Sequence, residues 1–270
     1  NLSRPEQIAL APNTHEFVLR LFSCLDFTKP VKILTTDSEF HSFRRQFYRY
    51  MELATVQVDV VNVEPYDSFE SRWVEKISQS KYDFIFTSQV FFNSGLESAA
   101  LEKWVPKADA KTIIAVDGYH AFCAIPTDLS RWQDRIFYLA GGYKYAQAGE
   151  GVCFMSVPPN NNLRPLNTGW FADFAALSKP DSTKINYALD GMQFAGSTFD
   201  ASGCYRWNSV CELFQKEKIS VANVHARVMD LKKYFLEKLA KQNFTEIGIH
   251  NVILQKNNLT QAHFVAFKTP

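Results

Sequence analysis

Asp117 and Lys144 have the types and spacing for chemistry on an amine in this 270-residue chain. Asp117 follows the apolar run Ile113, Ile114, Ala115, Val116, and His120 stands three residues on, giving D-x-x-H. Lys144 follows a second apolar run at 136–140, sits between Tyr143 and Tyr145, and precedes a turn flanked by Gly149 and Gly151. An acid and a lysine, each at the end of its own strand, suit pyridoxal 5'-phosphate. The lysine supplies a Schiff base to the cofactor aldehyde, and the acid keeps the ring nitrogen protonated so that the ring acts as an electron sink. An acid directly off a buried run must be paired if it is itself buried, and a protonated pyridine nitrogen would be that partner. Burial and nearby positive charge lower a lysine's pKa, as its nucleophilic role requires. The bland alternatives are an exposed turn acid, a satisfied core histidine and a surface lysine.

The D-x-x-H element, the Y-K-Y and the glycine-containing turn together resemble the class V aminotransferase superfamily of pyridoxal-phosphate fold type I, over about residues 8–268. That superfamily includes kynureninases and cysteine desulfurases. The resemblance implies an α/β large domain over 1–218, with a mainly parallel, seven-stranded-type sheet between helices. It also implies the start of a small α+β C-terminal domain over 219–270. Members are longer at both ends, so the chain reads as a fragment that stops before the family's arginine for the substrate carboxylate.

The resemblance also assigns roles. Lys144, Asp117 and His120 fall on catalytic positions, with His120 beside the cofactor's phenolic oxygen or the substrate. The helix start at Asn13, Thr14 and His15, with Tyr143 and the Trp170 of a G-W-F element, falls on the phosphate site. Thr198, or Ser197 beside it in G-S-T, falls on the residue that reaches the neighbouring subunit's cofactor, which implies a homodimer with shared active sites. Phe40 falls on the ring that stacks over the pyridine, with His41 next to it. Gln89 and Asn93 are the polar groups of the loop on the substrate side. The family often has asparagine where Phe91 stands, which leaves the type of substrate contact open. Without the resemblance Thr14 is a plain N-cap, and Phe40 and Trp170 are core aromatics.

The elements that must position these residues follow from periodicity. Phe17, Leu21 and Leu25, with Val18 and Phe22, make an i, i+4 stripe behind a cap at Asn13 or Thr14, which predicts a helix over 14–26. Helices are likewise predicted over 40–50, 68–80, 96–104, 202–215 and 221–242. Apolar or alternating runs predict strands over 31–35, 56–63, 83–88, 112–116, 135–141 and 151–157, the last antiparallel by family analogy. Two further strands, 246–254 and 263–267, belong to the expected small domain. Residues 5–12 are a short apolar stretch closed by a proline, and 177–190 are irregular.

Composition narrows the class. A hydrophobic share of 46% with 23 phenylalanines predicts a large packed core. A net charge of +1 gives no reason to expect nucleic acid or an anionic membrane as partner. No apolar run reaches the roughly 20 residues of a spanning helix. Five cysteines without paired spacing (Cys24, Cys123, Cys153, Cys204, Cys211) read as reduced thiols of a cytoplasmic protein. No metal is called for. Three functions remain: an aminotransferase-like enzyme acting on an amino acid, a kynureninase-like hydrolase, or a cofactor-less binding relative. Desulfuration needs a cysteine on a mobile loop, and none is evident.

Overall fold

Six parallel strands and one reversed strand form a single seven-stranded sheet in the computed structural model, which describes residues 2, 4–178, 185–242, 244, 247–254 and 262–268. In chain order the strands are β1 (Ile8–Ala11), β2 (Val31–Thr36), β3 (Val56–Val61), β4 (Phe84–Ser88), β5 (Ile113–Asp117), β6 (Phe137–Gly141) and β7 (Cys153–Ser156). Their spatial order is β1-β7-β6-β5-β4-β2-β3. Strands β2 to β6 pair in parallel, while β7 is antiparallel to both β6 and β1, so β7 alone runs against the rest.

Helices cover both faces, which is why β4, β5 and β6 are buried along their whole length and read as continuous apolar runs. On one face α1 (Thr14–Phe22) and α2 (His41–Tyr50) pack Phe17, Leu21, Phe22, Phe43 and Phe47 onto Phe84, Phe86, Ala115 and Leu139. The Phe43 and Phe86 rings stack with centroids 3.7 Å apart. On the other face α3 (Phe69–Gln79) and the single turn α4 (Leu101–Trp104) bring Trp73, Ile77 and Trp104 to Ile85, Ile114 and Tyr138. Truncating a phenylalanine or tryptophan in either layer costs about 3–5 kcal/mol.

Two expectations need correction, and one stretch left without an element gains one. Residues 96–104 are helical only from Leu101, because the chain reverses at Gly95 (φ 77°) and pairs Val90 with Glu97 in an antiparallel bridge. The stretch 5–12 contains the edge strand β1, whose hydrogen bonds to β7 come from tertiary context. The stretch 246–254 is not a continuous strand. Ile249–Asn251 is a 3-10 turn, and pairing is confined to a bridge between Val252 and Phe267, with Ile253 N–H donating to Ala266 O at 2.8 Å. Residues 245–246 and 255–261 of those expected strands lie outside the described residues. The helices α5 (Ser202–Lys216) and α6 (Val221–Leu239) form as predicted, yet of the α6 stripe Leu239 is buried while Leu231 and Phe235 are exposed. Among the described residues no helix is long and apolar enough to cross a membrane.

Candidate active site

The carboxyl ends of β1, β2, β4, β5 and β6 lie along one edge of the sheet, where open α/β sheets bind ligands. Each end delivers one part of the site. Asp117 closes β5, and period-2 alternation from Ala115 turns its side chain to the α1–α2 face. It is buried, and its Oδ1 accepts the Tyr119 N–H at 2.8 Å. Burial pushes its carboxyl up to about 6, against the Tyr119 hydrogen bond and the charge of Lys144. Lys144 comes three residues after β6. Burial lowers its pKa and Asp117 works against that. Its Nζ lies 2.5 Å from His120 Nε2, and 5.1, 4.9 and 5.6 Å from the ring centroids of Phe40, Tyr119 and Tyr143. Burial, then the neighbouring Lys144, holds His120 down to about 4, so its imidazole is neutral and can accept from the amine.

Behind these groups lies a carboxylate that the sequence reading did not single out. Glu39, at the end of the turn after β2, is fully buried. Its Oε1 accepts from Thr36 Oγ1 at 2.6 Å, and its Oε2 from Ser88 N and Ser88 Oγ at 2.9 and 2.6 Å. Ser88 is the register partner of Asp117. Burial above all, with Asp117 adding repulsion, raises Glu39 to about 8. It ties the β2 turn to β4 and thereby sets Phe40, the next residue, over Lys144. A second buried link joins the helix start to the site. The Thr14 backbone N–H lies close enough to favour a charge on Cys153 Sγ, which is 3.5 Å from Tyr119 Oη, and the Tyr119 and Tyr143 rings are 5.1 Å apart. Gly141 makes this possible, since a Cβ there would meet Tyr119 Oη at 2.2 Å and Cys153 Sγ at 2.4 Å.

Of the residues expected at the site, Asp117, His120, Tyr143, Lys144 and Phe40 come together, and Thr14 joins them through Cys153. Asn13 caps α1, accepting Glu16 N–H at 3.1 Å. His15 is exposed and turned to Gln46 of α2, 2.9 Å from its Nδ1. Trp170 is half exposed and has its ring contacts with Phe171 and Phe174, not with any residue around Lys144. Ser197 and Thr198 are exposed between Phe194 and α5. Gln89 faces the other side of the sheet, where its amide bonds Thr127 and Tyr138, and Asn93 donates to Ser38 Oγ at 3.1 Å. The residue of that loop that reaches the site is Phe92. With His120, Lys144, Tyr145 and Phe264 it lines an open depression of about 430 Å³.

This donor set fits pyridoxal phosphate. A buried acid and a depressed lysine share one sheet edge, an aromatic ring lies over the amine, and a helix N-terminus, where unpaired N–H groups favour an anion, is linked to them through Cys153. A family model described as aminotransferase class V matches residues 13–269. No curated protein sequence matches the chain. The fold is similar to that of the cysteine desulfurase CsdA (S-sulfonic acid) from Escherichia coli, at TM-score 0.76 and 12% identity, covering 98% of this chain and 63% of that one. It is similar to a C-DES mutant with glycine covalently linked to the PLP cofactor, at 0.74 and 15%, covering 96% and 66%. It is also similar to apo cysteine desulfurase from Thermococcus onnurineus NA1, at 0.70 and 16%, covering 98% and 64%. At these identities the likeness is one of fold, and the chain spans just under two thirds of each of those proteins.

Proposed function

Because the chain belongs to the class V aminotransferase family, we propose that it is a pyridoxal-phosphate-dependent enzyme acting on an amino acid, with an aminotransferase-type reaction as the leading form. The observation that carries this reading is the Lys144 amine, depressed by burial and 2.5 Å from a neutral His120, in the same cluster as the buried carboxylate of Asp117.

When bound, the cofactor supplies an electron sink for the pair left at the substrate's α-carbon. Every other requirement falls on the chain's own groups. Lys144 Nζ, kept unprotonated more readily by its surroundings, offers the lone pair for covalent attachment and later accepts and returns the substrate's α-proton. His120 Nε2 accepts one Nζ–H and so directs the amine. Asp117, its orientation fixed by the Tyr119 N–H, would hold a negative charge towards the cofactor's ring nitrogen. Phe40, pinned by Glu39 behind it, would cover the ring. Thr14 and the first turn of α1, with the Tyr143 hydroxyl, would hold the phosphate. Asn13 supports that turn as its cap and His15 follows it on the helix. The Thr198 of a second copy would complete the phosphate site in a homodimer, and this chain's Trp170, packed on Phe171 and Phe174, would have to move to join it.

A desulfurase reading is less well supported. It needs a reactive cysteine at the lysine, and among the described residues none lines the depression. Cys153, which touches Tyr119, is buried and its thiol is pushed up to about 11, far from the thiolate that sulfur chemistry needs. The kynureninase-like hydrolase would use the same residues and differs in the step after loss of the α-proton, where water cleaves a Cβ–Cγ bond in place of amino-group transfer.

The test is uptake of pyridoxal phosphate by the purified protein, followed as absorption at the visible edge. The Lys144→Ala variant should lose that absorption. A protein that stays colourless with the cofactor in large excess would overturn the proposal, leaving the cofactor-less binding relative in its place.

A further inference from the structure

We infer that the substrate enters between two aromatic walls and therefore carries an aromatic or bulky apolar side chain. This inference rests on the function proposed above and goes further by naming the substrate class.

The route to the Lys144 amine is the depression lined by Phe92, His120, Lys144, Tyr145 and Phe264. One wall belongs to the loop after β4. The Phe92 ring meets Phe40 edge-on with centroids 5.3 Å apart, and His41, next to Phe40, lies 5.5 Å from it. The opposite wall belongs to the C-terminal segment. The Phe264 ring is 5.8 Å from His120, and Phe264 and Tyr145 pack against the buried Val90, Ala121 and Ile125. The two phenylalanines come from positions 172 residues apart in the chain and face one opening over the same amine.

The polar atoms at the opening are those the reaction already uses, Lys144 Nζ and the His120 imidazole, together with the Tyr145 hydroxyl. Lys144 and His120 also bond each other. Among the described residues neither a carboxylate nor an arginine lines the opening to pair a charged side chain. The polar side chains of the β4 loop are committed elsewhere, Gln89 to Tyr138 and Thr127, Asn93 to Ser38, and the buried Ser94 to the Leu96 N–H. A charged substrate side chain would lose water here with only the Tyr145 hydroxyl left to bond it and no opposite charge to pair it, which is costly. A planar apolar one would be enclosed by ring faces and edges, which favour offset and edge-to-face contacts.

The inference is tested on the full-length, cofactor-loaded protein in two ways. First, L-phenylalanine, L-tryptophan and L-leucine are compared with L-alanine, L-serine and L-aspartate through the change in cofactor absorption. Half-saturation should come at concentrations on the order of 10-fold lower for the bulky apolar set, and Phe92→Ala or Phe264→Ala should shrink that gap. Second, calorimetry compares 3-phenylpropionate with propionate, neither of which has an amine to react. The aromatic acid should bind more tightly, and this measurement on the unaltered protein stands even where a variant fails to fold. Equal or better response to alanine or aspartate, with no preference for phenylpropionate, would overturn the substrate class while leaving the cofactor reading intact. Failure to take up pyridoxal phosphate would instead overturn the function proposed above.

Discussion

Lys144 Nζ and His120 Nε2 stand 2.5 Å apart, among the rings of Phe40, Tyr119 and Tyr143. Two cations at that separation repel strongly, so at most one of the pair carries a charge, and both are pushed towards the neutral form by burial.

The pair therefore titrates as a unit, and His120 should stay neutral down to about pH 4. In the Lys144→Ala variant the histidine loses its cationic neighbour while its burial remains. Its titration, followed by the ring-proton NMR signals, should move up part of the way towards an ordinary histidine. An unchanged midpoint would mean that the lysine does not act on it.

Asp117 is the second charge to test. Its carboxyl sits at about 6, raised by burial, so as the pH falls through that region the group loses the negative charge that would face the ring nitrogen. A bound pyridinium favours the ionised form and should draw this midpoint lower. Asp117→Asn keeps the shape and removes the charge. Exchange of the substrate's α-proton into deuterated water should fall on the order of 10²-fold or more, while the visible-edge absorption persists because Lys144 is intact. The unaltered protein should lose activity as the pH falls below about 6, and the variant should lack that acid limb.

Glu39 predicts a stability effect rather than a rate effect. Its native pKa of about 8 lies above the ordinary 4.5, so between these values the folded protein holds a proton that the unfolded chain has released. Stability from this group is then full below the lower value and is lost as the pH rises through the upper one. The slope approaches about 1.4 kcal/mol per pH unit for one proton. Glu39→Gln can keep the contacts to Thr36 and Ser88 and has nothing to titrate. Denaturant midpoints from pH 5 to 8 should fall for the unaltered protein and fall distinctly less for the variant.

Much of this was legible before any coordinates. Asp117 and Lys144 each follow a run that must be a buried strand, and the ends of neighbouring parallel strands meet on one edge, so the pair could be read from the pattern alone. Glu39 gave no such signal. It sits in a polar turn, T-T-D-S-E, and its carboxyl is held by Thr36 of that turn and by Ser88 of β4, 49 residues further on. The β4 loop misled for a related reason. Gln89 and Asn93 have the chemistry of substrate ligands, but the bridge from Val90 to Glu97 turns them away and leaves Phe92 at the opening. A helix starting at 96 was expected where a turn at Gly95 decides the chain's path, and the edge strand β1 stayed unassigned because its partner strand lies far along the chain.

Gly141 offers the test of how tightly the site is built. It closes β6, pairs with Cys153 across the sheet and lies beneath the Tyr119 hydroxyl. A methyl group there would stand 2.2 Å from Tyr119 Oη and 2.4 Å from Cys153 Sγ. The tyrosine has the longer side chain and would be the one to move. Its ring, however, is 4.9 Å from Lys144 Nζ and 5.1 Å from Tyr143, so the displacement passes to the lysine and to the phosphate side together. Gly141→Ala should cost about 1–3 kcal/mol in denaturant unfolding, as overpacked sites do. It should also weaken uptake of pyridoxal phosphate, measured by absorbance titration. Adding Tyr119→Phe removes the oxygen nearest the new methyl, so the double variant should recover part of both losses. Recovery of neither would place the strain at Cys153 and the β6–β7 pairing instead.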